Sequence, residues 1–457
     1  MMEMLSDAAR RIGVSLHGSD AAYNAVNTDT RSLKQGDLFV ALKGENFDGH
    51  AFVAEAAKSG AVGALVSRQV DAAIPQIVVG DTLQGLQDLA HSWRKDFSIP
   101  FVAVTGSNGK TTTRQMLASV FAANGPVLAT EGNLNNHIGL PLTLLKLRAE
   151  HRTAVTEMGA NHHGEIAMLC RIGEPDIGIV TQAGDAHLEG FGSRDGVAQA
   201  KGEMFSSLGA GKVAVINRDD FYFPLWQQMA GAANAVTFGF SEQADVRALN
   251  VFAEPAHAPT AMRFDLQAPG GRIAVRIPLP GKHNVSNALA AAAAGISAGL
   301  DLQDIAAGLA NVQGAGGRVT WKTTPEGARI IDDTYNANPT SVAAALELLA
   351  NSGDERIAVL GDMKELGPSA AQLHRDCGTK ARALGIDALF TLGPLAAEAS
   401  KAFGSSSRAF EALDPLVNEL RPLLKPGVTI LVKGSRSSRM ERVVAALMRQ
   451  ESVEAPH

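Results

Sequence analysis

Residues 105–113 read TGSNGKTTT. Gly106 and Gly109 enclose Ser107 and Asn108, and Lys110, Thr111 and Thr112 follow directly. These residue types in this order can hold a polyphosphate. Glycines let peptide N–H groups turn toward oxygens, a lysine reaches the terminal phosphates, and the next hydroxyl can be offered to Mg²⁺. The common form of such a loop, GxxxxGK[ST], is two residues longer. The shorter spacing keeps the physics but argues against the ordinary GTPases and ATPases.

A metal-bound triphosphate also needs hard anionic ligands. Glu157, which closes the run TAVTE, best meets that need, and QAGDAHLEGFG after DIGIVT offers Asp185, His187 and Glu189. His162 and His163, in MGANHHGE, read as surface residues. On composition Lys201, in VAQAKGEMF, reads as a solvated helix lysine with Glu203 alongside. Asn133, Asn135 and Asn136 precede the apolar stretch IGLPLTLL, where they either cap a helix or hold a sugar or peptide. Asn284 and Asn287, in GKHNVSNALAA, leave the same choice between a cap and a base edge. In IIDDTYNANPTS, Asp332 and Asp333 stand with a tyrosine and amides between a strand and a proline-started helix, a concentration of polarity that predicts a ligand.

These groups reach one surface only if the strands before them are parallel, because ligands of open α/β sheets bind beyond the strands' carboxyl ends. FVAVT (101–105), TAVTE (153–157), DIGIVT (176–181) and KVAVI (212–216) alternate with helix-spaced stretches such as TTTRQMLASVFAA, the pattern of a parallel sheet with crossover helices. Between 235 and 277 the texture changes, and MRFDLQ, APGG and RIAVRI read as strand, turn and strand. The run ALAAAAAGISAGL (288–300) is too short and Ala-rich to span a bilayer and reads as a buried helix. QGAGGR (313–318) predicts a flexible hinge, after which ARIIDD, RIAVLGD, DALFTLG and VTILVKG begin a second alternating unit. At the other end DLFVAL, AVGALVS and PQIVVG form a smaller α/β unit that closes near a helix starting at Thr82.

A chain of 457 residues has room for about three domains. Its 41 Lys and Arg against 47 Asp and Glu, a net charge of −6, give no electrostatic footprint for nucleic acid, so anionic ligands need local sites. Cys170 and Cys377 form no CxxC pair, which argues against a zinc or disulfide framework and suits a reducing cytoplasm. The opening MMEMLSDAARRIGV carries no apolar export segment.

TGSNGKTT, EGNLNNHIGLP, TEMGANHHGEI, GDAHLEGFGS, AKGEMF, GKHNVSNALAA, GGR, DDTYNANP, GDMKELG and VKGSRS together resemble the Mur ligases of peptidoglycan synthesis over essentially the whole chain. Within that family the resemblance is strongest to the branch that joins D-alanyl-D-alanine to UDP-N-acetylmuramoyl-tripeptide. DTRSLKQGDLFVALKGENFDGH resembles a UDP-binding segment shared with the diamino-acid-adding branch. That branch, however, is expected to show a DYAHTPD-like stretch and a DNPR-like selector, whereas this chain has DDTYNANP and no DNPR.

The resemblance implies an α/β protein of three domains: a small N-terminal UDP-substrate-binding domain (1–82), a central P-loop ATP-binding domain with a mainly parallel sheet (83–313), and a Rossmann-like C-terminal dipeptide-binding domain (314–457). It implies that Gly106, Ser107, Asn108, Gly109, Lys110, Thr111 and Thr112 bind ATP, with Asn284, Arg318 and Asp333 on the same nucleotide. Thr111 and Glu157 are implied for one Mg²⁺, and His187 with a carbamylated Lys201 for a second, which replaces the compositional reading of Lys201. Asp29, Arg31, Asn46 and Asp48 are implied around the UDP pocket, and Asn133, Asn135 and Asn136 along the muramoyl-peptide path. Tyr335, Asn336, Asn338, Ser435 and Arg436 are implied at the dipeptide. A cytoplasmic monomer with no nucleic-acid partner and no membrane span is expected.

Overall fold

The computed structural model describes residues 2–256, 259–314 and 316–449, so Ala315 of the expected hinge lies outside the described residues. The backbone forms three sheets of five, nine and six strands and a two-stranded ribbon. The five-stranded sheet runs in the order 16–17, 76–78, 63–66, 37–40 and 25–27, all parallel except the first strand. The helix Thr82–Arg94 begins where the sequence predicts. Asp81 caps it by accepting from Gln84 N at 2.9 Å. Trp93 Nε1 and Gln87 Nε2 on this helix donate to the carbonyls of Leu147 and His137, which carries the N-terminal core into the next unit.

Toward one end of the nine-stranded sheet lie Phe101–Thr105 (β1), Thr153–Glu157 (β2) and Ile177–Val180 (β3), with β1 between the other two. All three are buried along their length because helices cover both faces, hence their unbroken apolar and β-branched runs. The parallel register sets Glu157 beside Val104 and Val180 beside Thr105, so the three strands end at one sheet edge. Ala261–Ala268 and Gly271–Ile277 form the antiparallel hairpin that MRFDLQ and RIAVRI predict.

Three helices complete the central site. Lys110–Phe121 (α1) follows β1, Arg194–Ser206 (α2) carries Lys201, and Lys282–Ser297 (α3) is the alanine-rich helix, with Ala288 to Ala294 wholly buried. Small side chains let α3 lie close over the sheet and α1. The same close approach recurs at Gly308, where an added Cβ would lie 2.6 Å from Val120 Cα of α1.

The third sheet orders 320–323, Arg329–Asp333 (β4), 428–433, 355–361, 388–392 and 407–410, parallel except for its first strand. Pro339–Ala350 (α4) follows β4, and Val428–Lys433 (β5) lies against it. This is the second alternating unit expected from the sequence. Among the described residues no helix is long and apolar enough to cross a membrane.

Gly308→Ala places its methyl against backbone that cannot rotate away. It is expected to destabilise the central unit by about 1–3 kcal/mol. A thermal unfolding midpoint equal to that of the unaltered chain would show that α1 can yield there.

Candidate active site

β1 leads into the phosphate loop and α1 leads out of it. Gly109 has φ 83°, and a Cβ there would lie 2.4 Å from Asn287 Oδ1 on α3; one on Gly106 would lie 2.0 Å from Thr181 Oγ1. Glycine is required at both places because neighbouring side chains press directly on the loop. Several hydrogen bonds strap the loop to the segment after β3. Thr181 Oγ1 donates to Asn108 O at 2.6 Å, Ser107 N to Gln182 O at 2.9 Å, and Gly184 N to Ser107 Oγ at 2.9 Å. Lys110 folds back on its own loop, donating to Gly106 O at 2.7 Å. Burial draws its ammonium below the ordinary lysine range; Glu157 opposes this and Arg318 adds to it.

Glu157 is buried at the end of β2. Thr111 Oγ1 donates to its Oε2 at 2.8 Å and Asn135 Nδ2 to its Oε1 at 2.9 Å, while its own N–H donates to Thr130 Oγ1 at 3.0 Å. Two hard oxygens, one hydroxyl and one carboxylate, therefore meet beside the loop. Hard oxygens of these two kinds suit a divalent cation such as Mg²⁺.

His187 leaves the β3 loop in a left-handed conformation, φ 54°, and its Nδ1 bonds the carboxylate of Glu365 from the C-terminal unit. Burial, then the charge of Lys110 and that of Lys201, hold the imidazole below its ordinary pKa against the pull of Glu365. Lys201 is not a solvated helix lysine. It is 1% exposed, its Nζ donates to Ala160 O at 3.1 Å, and the ring centroid of Phe191 is 5.1 Å away. Burial, aided by Lys110, lowers its pKa to about 7. Glu203 does not pair with it; it accepts from Gly164 N and Ala167 N at the start of the helix Glu165–Gly173. His162 and His163 are exposed, as expected.

From the C-terminal unit, Asp333 pairs with Lys433 Nζ at 2.6 Å, and Lys433 also donates to Asn336 O at 2.8 Å. Asp332 points to the other face of β4, as alternate strand residues must, and takes Lys322 at 2.8 Å and the Thr334 hydroxyl at 2.7 Å. The Arg318 guanidinium stacks over Tyr335, 4.1 Å from its centroid. Asn338 caps α4 by accepting from Ser341 N at 2.9 Å and donates from Nδ2 to Asn108 Oδ1 at 2.8 Å. The Ser435 hydroxyl donates to Asp362 O at 2.6 Å, and Arg436 is exposed with Glu441 at 3.3 Å.

One cavity of about 1100 Å³ opens between the central and C-terminal sheets. Ser107 to Thr112, Asn135, Asn136, Glu157, His187, Asn284, Arg318, Asp333, Tyr335, Asn336, Asn338, Ser435 and Arg436 line it. Gly106, Asn133 and Lys201 lie outside the lining, as do Asp29, Arg31, Asn46 and Asp48 on the N-terminal unit.

Three family descriptions match the chain in order: "Mur ligase family, catalytic domain" over 22–94, "Mur ligase middle domain" over 104–295 and "Mur ligase, glutamate ligase domain" over 317–436. A relative in Escherichia coli, named UDP-N-acetylmuramoyl-tripeptide–D-alanyl-D-alanine ligase, is 42% identical over 97% of this chain and 98% of its own. The chain belongs to the Mur ligase family. A relative of the same name in Bacillus subtilis is 38% identical over 93% of each chain. Among solved structures, MurF from Acinetobacter baumannii superposes with a TM-score of 0.91 at 37% identity, covering 97% of this chain and 98% of its own. The MurF ligase of Thermotoga maritima in complex with ADP gives 0.81 at 27% identity, over 93% and 97%.

In this Mur ligase the N-terminal candidates bond to neighbours within their own unit. Arg31 pairs with Asp29 at 2.6 Å on an exposed turn and holds that carboxyl down to about 2. Asp48 accepts from His50 N and Arg68 Nη2, both at 3.0 Å, while Asn46 is exposed beside Phe47. Of the amide candidates, Asn136 accepts from Gly139 N at 2.9 Å, where the helix Gly139–Leu144 begins. Asn284 bonds Pro280 O at 2.7 Å and receives Asn287 Nδ2 at 3.2 Å. Sequence reasoning missed Thr130, Thr181, Glu365 and Lys433. Glu365 and Lys433 do lie inside the quoted stretches GDMKELG and VKGSRS.

Asp333→Asn removes the charge that compensates an almost wholly buried Lys433. It is expected to destabilise the C-terminal unit by about 3 kcal/mol or more. Urea unfolding followed by limited proteolysis of that unit measures the loss, and an unchanged midpoint would mean that Lys433 finds another partner.

Proposed function

We propose that this Mur ligase joins D-alanyl-D-alanine to UDP-N-acetylmuramoyl-tripeptide, using ATP and releasing ADP and phosphate, in the synthesis of peptidoglycan precursors. The observation that carries the reading is the single cavity into which the phosphate loop, Glu157 and His187 open from one side and Arg318, Asp333 and Arg436 from the other. Relatives that match along nearly the whole chain bear the corresponding name. In this reading residues 1–82 take the UDP end of the substrate through Asp29, Arg31, Asn46 and Asp48, 83–313 take ATP, and 314–457 take the dipeptide.

The chemistry explains why these side chains are gathered. A carboxylate is a poor acyl donor, because it is anionic and has no leaving group. Transfer of the γ-phosphoryl group to it gives an acyl phosphate; the dipeptide amine then attacks the carbonyl carbon and phosphate departs. Lys110 lies where it can leave Gly106 O and neutralise the transferring group. Arg318 and Asp333 approach the nucleotide from the C-terminal side, and Asn135 orients Glu157 beside the tripeptide path. Arg436, with Tyr335 and Asn336 nearby, is placed to receive the free carboxylate of the dipeptide. Closure of the domains keeps the acyl phosphate from water.

Mg²⁺ at Thr111 and Glu157, and a second ion near His187, would supply neutralisation of phosphate charge. A lysine ammonium does not fit such a site, but Lys201 is buried, has no ion pair among the described residues and has a pKa of about 7. Burial favours the neutral amine, the form that CO₂ carbamylates, and the product is an anion with carboxylate-like oxygens.

Phosphate release is expected only when ATP, UDP-N-acetylmuramoyl-tripeptide and D-alanyl-D-alanine are all present. Release that ignores both of the latter would mark a simple ATPase. Lys110→Ala should reduce kcat by about a hundredfold or more. Lys201→Ala should lose most activity and regain part of it with short carboxylic acids, so full activity in that variant would remove Lys201 from the site.

A further inference from the structure

The carboxamide of Asn338 can sit only one way round. Its Oδ1 accepts the Ser341 N–H that caps α4, so its Nδ2 must face the phosphate loop, where it donates to Asn108 at 2.8 Å. A donor arriving there obliges Asn108 to answer with Oδ1. Asn108 Nδ2 is thereby turned away, and it is buried with no hydrogen-bond partner. The main chain of Asn108 is held independently, its carbonyl receiving Thr181 Oγ1 at 2.6 Å. The residue therefore retains one freedom, a half-turn of its amide, and Asn338 fixes it. An orphaned buried N–H group on a residue that lines this cavity, in the loop that ends at Lys110, calls for a hydrogen-bond acceptor.

We propose that Asn338 is a positioning residue that sets the amide of Asn108 so that its NH₂ group is presented to the phosphates of the bound nucleotide. The nucleotide rests on the reading given above; the orientation argument does not. The link joins the first turn of α4 to the phosphate loop across the cavity, so the donor is in place only while the C-terminal domain is docked. Free rotation of Asn108 in the undocked state presents its carbonyl oxygen as readily as its NH₂ group, and an oxygen there repels phosphate.

The test uses substitutions that keep the cap. Asn338→Asp still accepts from Ser341 N but offers Asn108 an acceptor, which forces the amide to turn and bring its oxygen into the cavity. Calorimetric titration of the full chain with Mg²⁺ and a non-hydrolysable ATP analogue is expected to show affinity about tenfold or more weaker. Asn338→Ser, which caps but leaves Asn108 free to choose, should lose threefold or less. Asn108→Ala should weaken binding, and adding Asn338→Asp to it should change nothing further, because Asn338 acts only through Asn108. Wild-type affinity in Asn338→Asp, or losses that multiply in the double variant, would overturn the proposal. Asn108→Asp provides the same contrast if Asn338→Asp does not fold, since an aspartate has no NH₂ group to present, and wild-type affinity in that variant would overturn it equally. A wild-type chain that shows this binding contrast but joins no dipeptide would refute the ligase reading and leave the positioning role standing.

Discussion

The site is organised around the cost of burying Glu157. A carboxylate sealed at the end of a parallel strand, with no ion pair among the described residues, is tolerable only if its oxygens are hydrogen-bonded. Two separate elements meet that need, Thr111 from the first turn of α1 and Asn135 from the loop before Gly139–Leu144, while Thr130 receives the backbone N–H and holds the strand end. Satisfying this one group therefore fixes where α1 begins, and with it the orientation of the phosphate loop. The sheet order does the rest, since β1 between β2 and β3 brings the loop, Glu157 and the segment from Thr181 to His187 to one edge.

The C-terminal domain enters the site through few but specific contacts. Glu365 reaches His187, Asn338 reaches Asn108, and Asp185 N donates to Thr340 Oγ1 at 3.3 Å. Each contact joins a polar group of the phosphate-loop edge to one from the start of α4 or the segment after 355–361. Leu188 adds an apolar contact, packing against the C-terminal core as well as the central one.

Much of this arrangement was legible in the residues themselves. The alternation of FVAVT, TAVTE and DIGIVT with helical stretches sufficed for a parallel sheet, and the rule that ligands gather beyond its carboxyl edge singled out Glu157 and His187. Lys201 shows where such reading stops. Its neighbours on α2 include charged and small residues, and its burial arises from packing against Phe191 and the segment at Ala160, which local composition does not reveal. The pair Asp332 and Asp333 looked equivalent in the chain, yet strand alternation sends one to Lys322 and the other to Lys433. Glu365 could not be matched to His187 from sequence at all, because the contact spans 178 positions and two domains.

Charge distribution resolves an apparent conflict in the composition. A chain with a net charge of −6 is an unpromising host for a triphosphate and two carboxylate-bearing substrates. The cavity lining inverts that balance: Lys110, Arg318, Lys364, Lys433, Arg436 and Arg439 face Glu157, Glu165, Asp333 and Glu365. Asp333 is committed to Lys433, which removes one charge of each sign, and Glu165 to the N–H groups of Asn161 and His162, so the excess of cations over carboxylates in the lining stands. Two of the cations, Lys110 and Arg318, also raise the cost of each other's charge, and a bound polyanion relieves both at once. Anion affinity is thus concentrated where the domains meet, while the acidic exterior repels anions that have no fitted place.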